Sequence, residues 1–209
     1  MHPIEYLRYL ARADDAPTEW LIPEAADALR GLIGDHQALV TGCRKLLEHH
    51  ALRGPMWWLC GHVLVARDPW AVIDDLVDTF VSDPTRLHLS LALADVDLDT
   101  PAAPRVLDAT LAAPAGVVVA DVGSTWSSRA GTDDETRPIW IVAGVGTVVP
   151  GEIFATVVEG ASSHDRHRRF EMLDTASIVR VIRADGISGA EALRAGPDVS
   201  FIPELLARG

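Results

Sequence analysis

The hydrophobic pattern of this chain changes its period once, close to Pro84, and that change limits the fold more than any other feature. Before it, apolar residues recur at helical spacing. In Asp35 to His50 they are Leu39, Val40, Cys43, Leu46 and Leu47, one buried face that begins after Asp35, a residue suited to an N-cap. Gly54 and Pro55 interrupt, and Met56, Leu59, Cys60, Val63 and Leu64 then repeat the stripe, widened by Trp57 and Trp58. Asp68-Pro69 supplies a cap and a first-turn proline for a third stripe of Trp70, Ile73, Leu76, Val77, Phe80 and Val81, opposite Asp74, Asp75 and Asp78. Ile4 to Ala13 and Pro23 to Ile33 follow the same spacing less strictly. About five helices packed as a bundle are expected before Ser82-Asp83-Pro84 ends the run.

After Pro84 the apolar runs shorten and become rich in β-branched residues. Gly116 to Asp121 (GVVVAD) and Arg137 to Gly144 (RPIWIVAG) are apolar at successive positions, as in strands covered on both faces of a parallel sheet. Val122 to Thr136 between them has room for a short crossover helix. Glu152 to Glu159 reads as helix, Arg169 to Leu173 as a short strand and Asp174 to Ile182 as a further helix. Ala190 to Gly209 reads as mostly surface. Arg86 to Asp99 is ambiguous between helix and strand, and the stretch with Pro101 and Pro104 is a connector. The expected fold class is therefore α/β, with a helical domain over 1–84 and a small, truncated Rossmann-like parallel sheet over 85–209.

Composition narrows the function classes. The 209 residues, 48% of them hydrophobic and 23% charged, suit a globular chain that buries roughly 70% of its unfolded surface. Thirty acidic against eighteen basic residues, a formal charge of −12, oppose general nucleic-acid binding and attachment to anionic lipid. No apolar run reaches the roughly 18–20 residues of a membrane span, and Glu5, Arg8 and Arg12 stand where a signal peptide needs an apolar core, so the chain reads as cytoplasmic. Cys43 and Cys60 form no CxxC and both fall on apolar stripes, which makes them core thiols rather than nucleophiles.

The candidate site follows from position. In open parallel sheets, ligands gather beyond the carboxyl ends of strands. Asp121 and Gly123-Ser124-Thr125 follow one expected strand, and Gly144-Val145-Gly146-Thr147 follows the next. Asp121 suits a general acid/base role, or equally a turn or helix cap. Ser124 at a helix start suits a phosphate, or equally a plain cap. Gly144-x-Gly146 lacks the third glycine of a dinucleotide fingerprint, because position 149 is Val149, and it reads also as a tight turn. The only lysine, Lys45, lies on a helix, so no Walker A loop is present, and no GxSxG elbow is found. The acidic run at 131–135 and the His164/His167 pair lack the spacing and number of ligands of a metal site. No cofactor is expected. The basic island of His164 to Arg169 reads as a solvated loop, or as a clamp for phosphate or for an acidic partner surface.

Taken in order, the helical bundle, VVVAD at Val117 to Asp121, GST at Gly123 to Thr125, RPIWIVAGVG at Arg137 to Gly146 and FEMLDTASIVRVI at Phe170 to Ile182 resemble the regulatory-subunit family of translation initiation factor 2B. That superfamily includes sugar-phosphate isomerases. GPMWWLC at Gly54 to Cys60 and the AGVG turn resemble an actinobacterial branch of it. The resemblance implies an N-terminal helical domain, a Rossmann-like C-terminal domain and Asp121 as the family aspartate. The isomerases' cysteine has no counterpart in the expected sheet, and the Asn-Lys before the family's Gly-Thr is missing. The expectation is therefore a non-catalytic regulatory protein binding a phosphorylated metabolite at Gly123, Ser124, Thr125, Gly144, Gly146 and Thr147, able to self-associate. A sugar-phosphate isomerase with Asp121 as general acid/base is the alternative, and a structural protein-interaction module a third.

Overall fold

A computed structural model describes residues 3–98, 100, 102–121, 137–160, 170–194, 196–199 and 202–206. The helices are α1 (Pro3–Ala11), α2 (Thr18–Arg30), α3 (His36–His49), α4 (Gly54–Val65), α5 (Pro69–Val81), α6 (Thr85–Leu93), α7 (Gly151–Gly160) and the short α8 (Pro203–Leu206). The strands are β1 (Arg105–Ala113), β2 (Val117–Asp121), β3 (Ile139–Val142), β4 (Phe170–Asp174), β5 (Ile178–Arg183) and β6 (Gly186–Ser188), in the sheet order β4-β2-β1-β3-β5-β6. The fold is α/β and Rossmann-like, with the helical bundle first.

The caps act where the side chains suggest. Asp35 accepts the Ala38 N–H at 3.0 Å, and Asp68 accepts those of Trp70 and Ala71. The early helix begins at Thr18 rather than at Pro23, so Pro23 lies inside α2 instead of in its first turn. Residues 85–93 resolve the ambiguous stretch as helix: α6 lays Leu89 over Val106, Trp140, Val142 and Ile182.

Three features of the sheet depart from the expectation. First, its central strand is β1, which the sequence pattern did not single out. It turns through Pro114-Ala115-Gly116, with Gly116 at φ +104°, into an antiparallel hairpin with β2. Second, the sheet is mixed: β1–β3 and β3–β5 pair in parallel, whereas β1–β2, β2–β4 and β5–β6 are antiparallel. The strands expected as parallel neighbours, β2 and β3, are thus separated by β1 and run in opposite directions. Third, the helix expected over Asp174 to Ile182 is a 3₁₀ turn at Thr175–Ser177 followed by β5. The β-branched content of IVRVI and its pairing with β3 prevail over the helical spacing. The stretch read as a crossover helix, 122–136, lies outside the described residues.

One continuous core joins the bundle to the sheet. Cys43, Leu46, Met56, Trp57 and Leu59 of the helices belong to the same buried cluster as Leu111 of β1, Val119 of β2 and Ile153 of α7. The opposite face of the sheet buries Leu107, Val118, Ile141 and Val181 beneath Leu193. The tail is accordingly more than surface, since Leu193, Val199 and Leu205 are all buried.

His50 closes α3 in this core. It is 2% exposed, and its Nε2–H donates to the Leu10 carbonyl at 2.9 Å, tying α1 to α3. Burial is the main cause that lowers its pKa, because a charged imidazolium is poorly solvated there. The unfolded chain then binds this proton more readily than the folded one, so the contribution is full above about pH 6.5 and is lost as the pH falls below it. A urea midpoint that drops between about pH 7.5 and about pH 5.5, with the drop reduced in His50→Gln, is the expected outcome. An unreduced drop would contradict it.

Candidate functional site

The segment Gly144 to Thr147 is a break in a strand rather than the end of one. β3 runs beside β1 as far as Val142, the chain leaves the sheet, and it returns at Val148, bridged to Ala112. Ala112 donates to the Thr147 carbonyl and Val149 donates to Ala112, both at 2.9 Å. The excursion is a four-residue turn closed by the Thr147 N–H and hydroxyl on the Gly144 carbonyl, at 3.2 and 2.7 Å. Gly146 occupies the third position with φ +77°, a conformation that side chains disfavour.

This turn is where the bundle meets the sheet. A Cβ on Gly146 would lie 2.5 Å from the Trp58 Cβ and 3.0 Å from the Pro55 Cα. A Cβ on Gly54 would lie 2.9 Å from the Thr110 carbonyl oxygen and 3.0 Å from the Thr147 Cα. Two glycines thus allow the first turn of α4 to approach the sheet backbone to backbone. Asp83 fastens the same turn from the other side: one carboxylate oxygen accepts the Thr85 N–H and hydroxyl, and the other accepts the Val145 N–H at 2.8 Å.

Beside this junction a cleft of about 550 Å³ opens between α6, the α4 N-terminus and the sheet. That size lies within the usual span of small-molecule sites, roughly 300–1,000 Å³. Asp121 and Gly144 both line it, together with Asp83, Arg86, Asp108, Thr110 and Thr147. The β2 and β3 exits point apart, yet both reach the cleft because Asp121 and Val142 each stand level with Asp108 across β1.

Asp108 and Asp121 are direct cross-strand partners, so their side chains project from the same face. Like charges placed opposite each other destabilise a sheet. Arg86 of α6 offsets the pair through a two-pronged ion pair with Asp108, at 3.0 and 3.2 Å. Arg53 also lines the cleft, but its guanidinium donates to the Asp14 and Ala16 carbonyls and to the Thr18 hydroxyl, bracing the connection from α1 to α2.

Of the residues singled out from the sequence, Asp121, Gly144 and Thr147 share the cleft. Gly146 serves the turn beneath it, and Thr147 is 2% exposed. Gly123, Ser124 and Thr125 lie outside the described residues, as do the 131–135 run and the basic island of 164–169. Sequence reasoning missed Asp108, Arg86 and Asp83. The signal for Asp108 was available: a lone carboxylate inside the apolar run RVLDATLAA. Cys43 and Cys60 are both fully buried in the bundle, and burial raises the Cys60 thiol well above its usual range. Among the described residues no three His, Cys, Asp or Glu side chains group as a metal site requires, and no helix is long and apolar enough to cross a membrane.

No family model matches the chain, and no curated protein matches it. Among solved structures it is similar to eIF2B beta from Chaetomium thermophilum, with a TM-score of 0.55 over 95% of this chain and 93% of that one, at 10% sequence identity. The likeness is one of fold, and it bears out the initiation-factor-2B-like architecture.

The junction makes a measurable demand. Gly146→Ala should lower stability by about 2–4 kcal/mol, the sum of a strained positive φ and an overpacked contact, read as a reduced urea midpoint at unchanged slope. An unchanged midpoint would show that the turn and α4 are not packed in this way.

Proposed function

We propose that this chain is a non-catalytic regulatory protein that binds a phosphorylated, hydroxyl-bearing metabolite in the cleft between the helical bundle and the sheet. The observation that carries the reading is the Asp108–Asp121 pair at the base of that cleft, with Arg86 beside it. The two carboxylates and the Arg86 guanidinium thus present acceptors and a positive charge together on one wall of the cleft. Two adjacent carboxylates accept hydrogen bonds from neighbouring sugar hydroxyls, and the Arg86 guanidinium, held in place by Asp108, brings positive charge to a phosphate. Gly123, Ser124 and Thr125, which follow Asp121 in sequence, belong to the proposal as the remaining phosphate contacts.

The burial of both cysteines within the bundle supports a binding role over isomerisation of the kind implied by the resemblance. The location of Asp121 in the cleft favours a second reading, in which it moves a proton on a bound sugar phosphate. Self-association is part of the first reading. Trp20 and Trp70 are 39% and 54% exposed, and large aromatics are enriched where proteins meet.

Thermal-shift measurements with ribose 5-phosphate, ribose 1,5-bisphosphate, methylthioribose 1-phosphate and nucleoside monophosphates should show at least one that raises the melting temperature. Asp121→Asn and Arg86→Ala should each weaken that ligand about tenfold or more, the loss of one charged hydrogen bond. A flat response across the panel would overturn the proposal. Turnover of a sugar phosphate that disappears in Asp121→Asn would replace it with the isomerase reading.

A further inference from the structure

A second concavity, larger than this cleft, is a groove of about 1,030 Å³ bounded by α1, α3, α7 and α8, and it shares no lining residue with the cleft. Its floor is apolar: Leu7, Leu32, Leu47, Trp57, Val157 and Leu205 all reach it. Each is at least nine-tenths buried, so the floor is set by the core and not by mobile surface side chains. Trp57 is fixed in place by its indole N–H, which donates to the Ala51 carbonyl at 2.8 Å.

The rim is polar, and its charge runs against that of the whole chain. The protein carries −12, yet the groove is edged by Arg8, Arg44 and Lys45 against Asp35 and Glu48. The two acidic residues are already engaged: Glu48 pairs with Lys45 at 3.0 Å, and Asp35 caps α3. Arg44 donates to the Glu204 carbonyl of α8 at 2.7 Å. Arg8 makes no ion pair among the described residues and is exposed. The groove therefore offers an apolar floor and, at its edge, a cation that makes no ion pair among the described residues.

We propose that this groove is a binding site for a single-chain amphiphilic carboxylate, its acyl chain lying over Leu7, Leu47 and Trp57 and its head group against Arg8. Burial of each methylene is worth about 0.8 kcal/mol, so the chain supplies affinity while Arg8 selects the anion. The site is independent of the metabolite cleft.

Calorimetric titration of the full chain with decanoate below its micellar concentration tests this, with decanol and acetate as the tail-only and head-only controls. Saturable binding of decanoate is expected, with decanol weaker and acetate silent. Arg8→Glu should weaken decanoate about tenfold. Thr156→Trp and Ala38→Trp, at partly exposed positions on opposite walls, should each fill the groove and remove binding, provided their unfolding transitions match the parent's. Asp121→Asn should bind decanoate unchanged, which separates this site from the cleft. No saturable binding of decanoate, or binding that persists in both folded tryptophan variants, would overturn the proposal.

Discussion

The architecture depends on a contact between two stretches of backbone. Gly54 begins α4 and Gly146 completes the turn outside β3, and the absence of a side chain at both lets the bundle lie against the sheet at the separation the core requires. Asp83 reinforces this by bonding the α5–α6 corner to Val145 of the same turn. Bulky residues such as Leu111, Met56 and Trp57 can then pack in one continuous cluster across the junction. The cleft is what remains beside the junction, where α6 covers one part of the sheet face and the bundle covers another.

Much of this was legible because the local signals agree with the tertiary ones. In α3 the stripe and the Asp35 cap, in α4 the stripe and Pro55, and in α5 the stripe, the Asp68 cap and Pro69 each favour the same helix, and packing has nothing to override. The strands were less legible. In β1 the run RVLDATLAA contains a charge, a bulged register near Ala109 and three alanines, so neither strict alternation nor a β-branched run marks it. Without β1 the sequence offers β2 and β3 as neighbours, and two short apolar strands separated by fifteen residues suggest a parallel crossover. The hairpin through Gly116 is what places them on either side of β1 with opposite directions. In Asp174 to Ile182 the apolar spacing reads as helix, and sheet pairing with β3 overrides it.

The candidate site was half legible for the same reason. Reasoning from strand ends brings Asp121 and Gly144 together, and they do line one cleft, but through the shared level of Asp108 rather than through parallel exits. Asp108 was hidden with its strand, and Arg86 with the helix it stands on. The Gly144–Thr147 segment illustrates how one pattern serves two purposes. Its glycines permit a close approach, and the structure uses that freedom for α4 while leaving Gly144 at the cleft wall.

The proposed ligand site stands or falls with the two opposed carboxylates on β1 and β2. Nuclear magnetic resonance on protein labelled with carbon-13 at aspartate carboxyls, titrated with ribose 5-phosphate, reads each of them separately. Saturable shifts at Asp108 and Asp121 that follow one binding curve are expected, while Asp174, at the other end of the β2–β4 pair from Asp121, stays in place. Resonances of Asp108 and Asp121 that remain fixed while others move, or that move no more than that of Asp174, would overturn the proposed site.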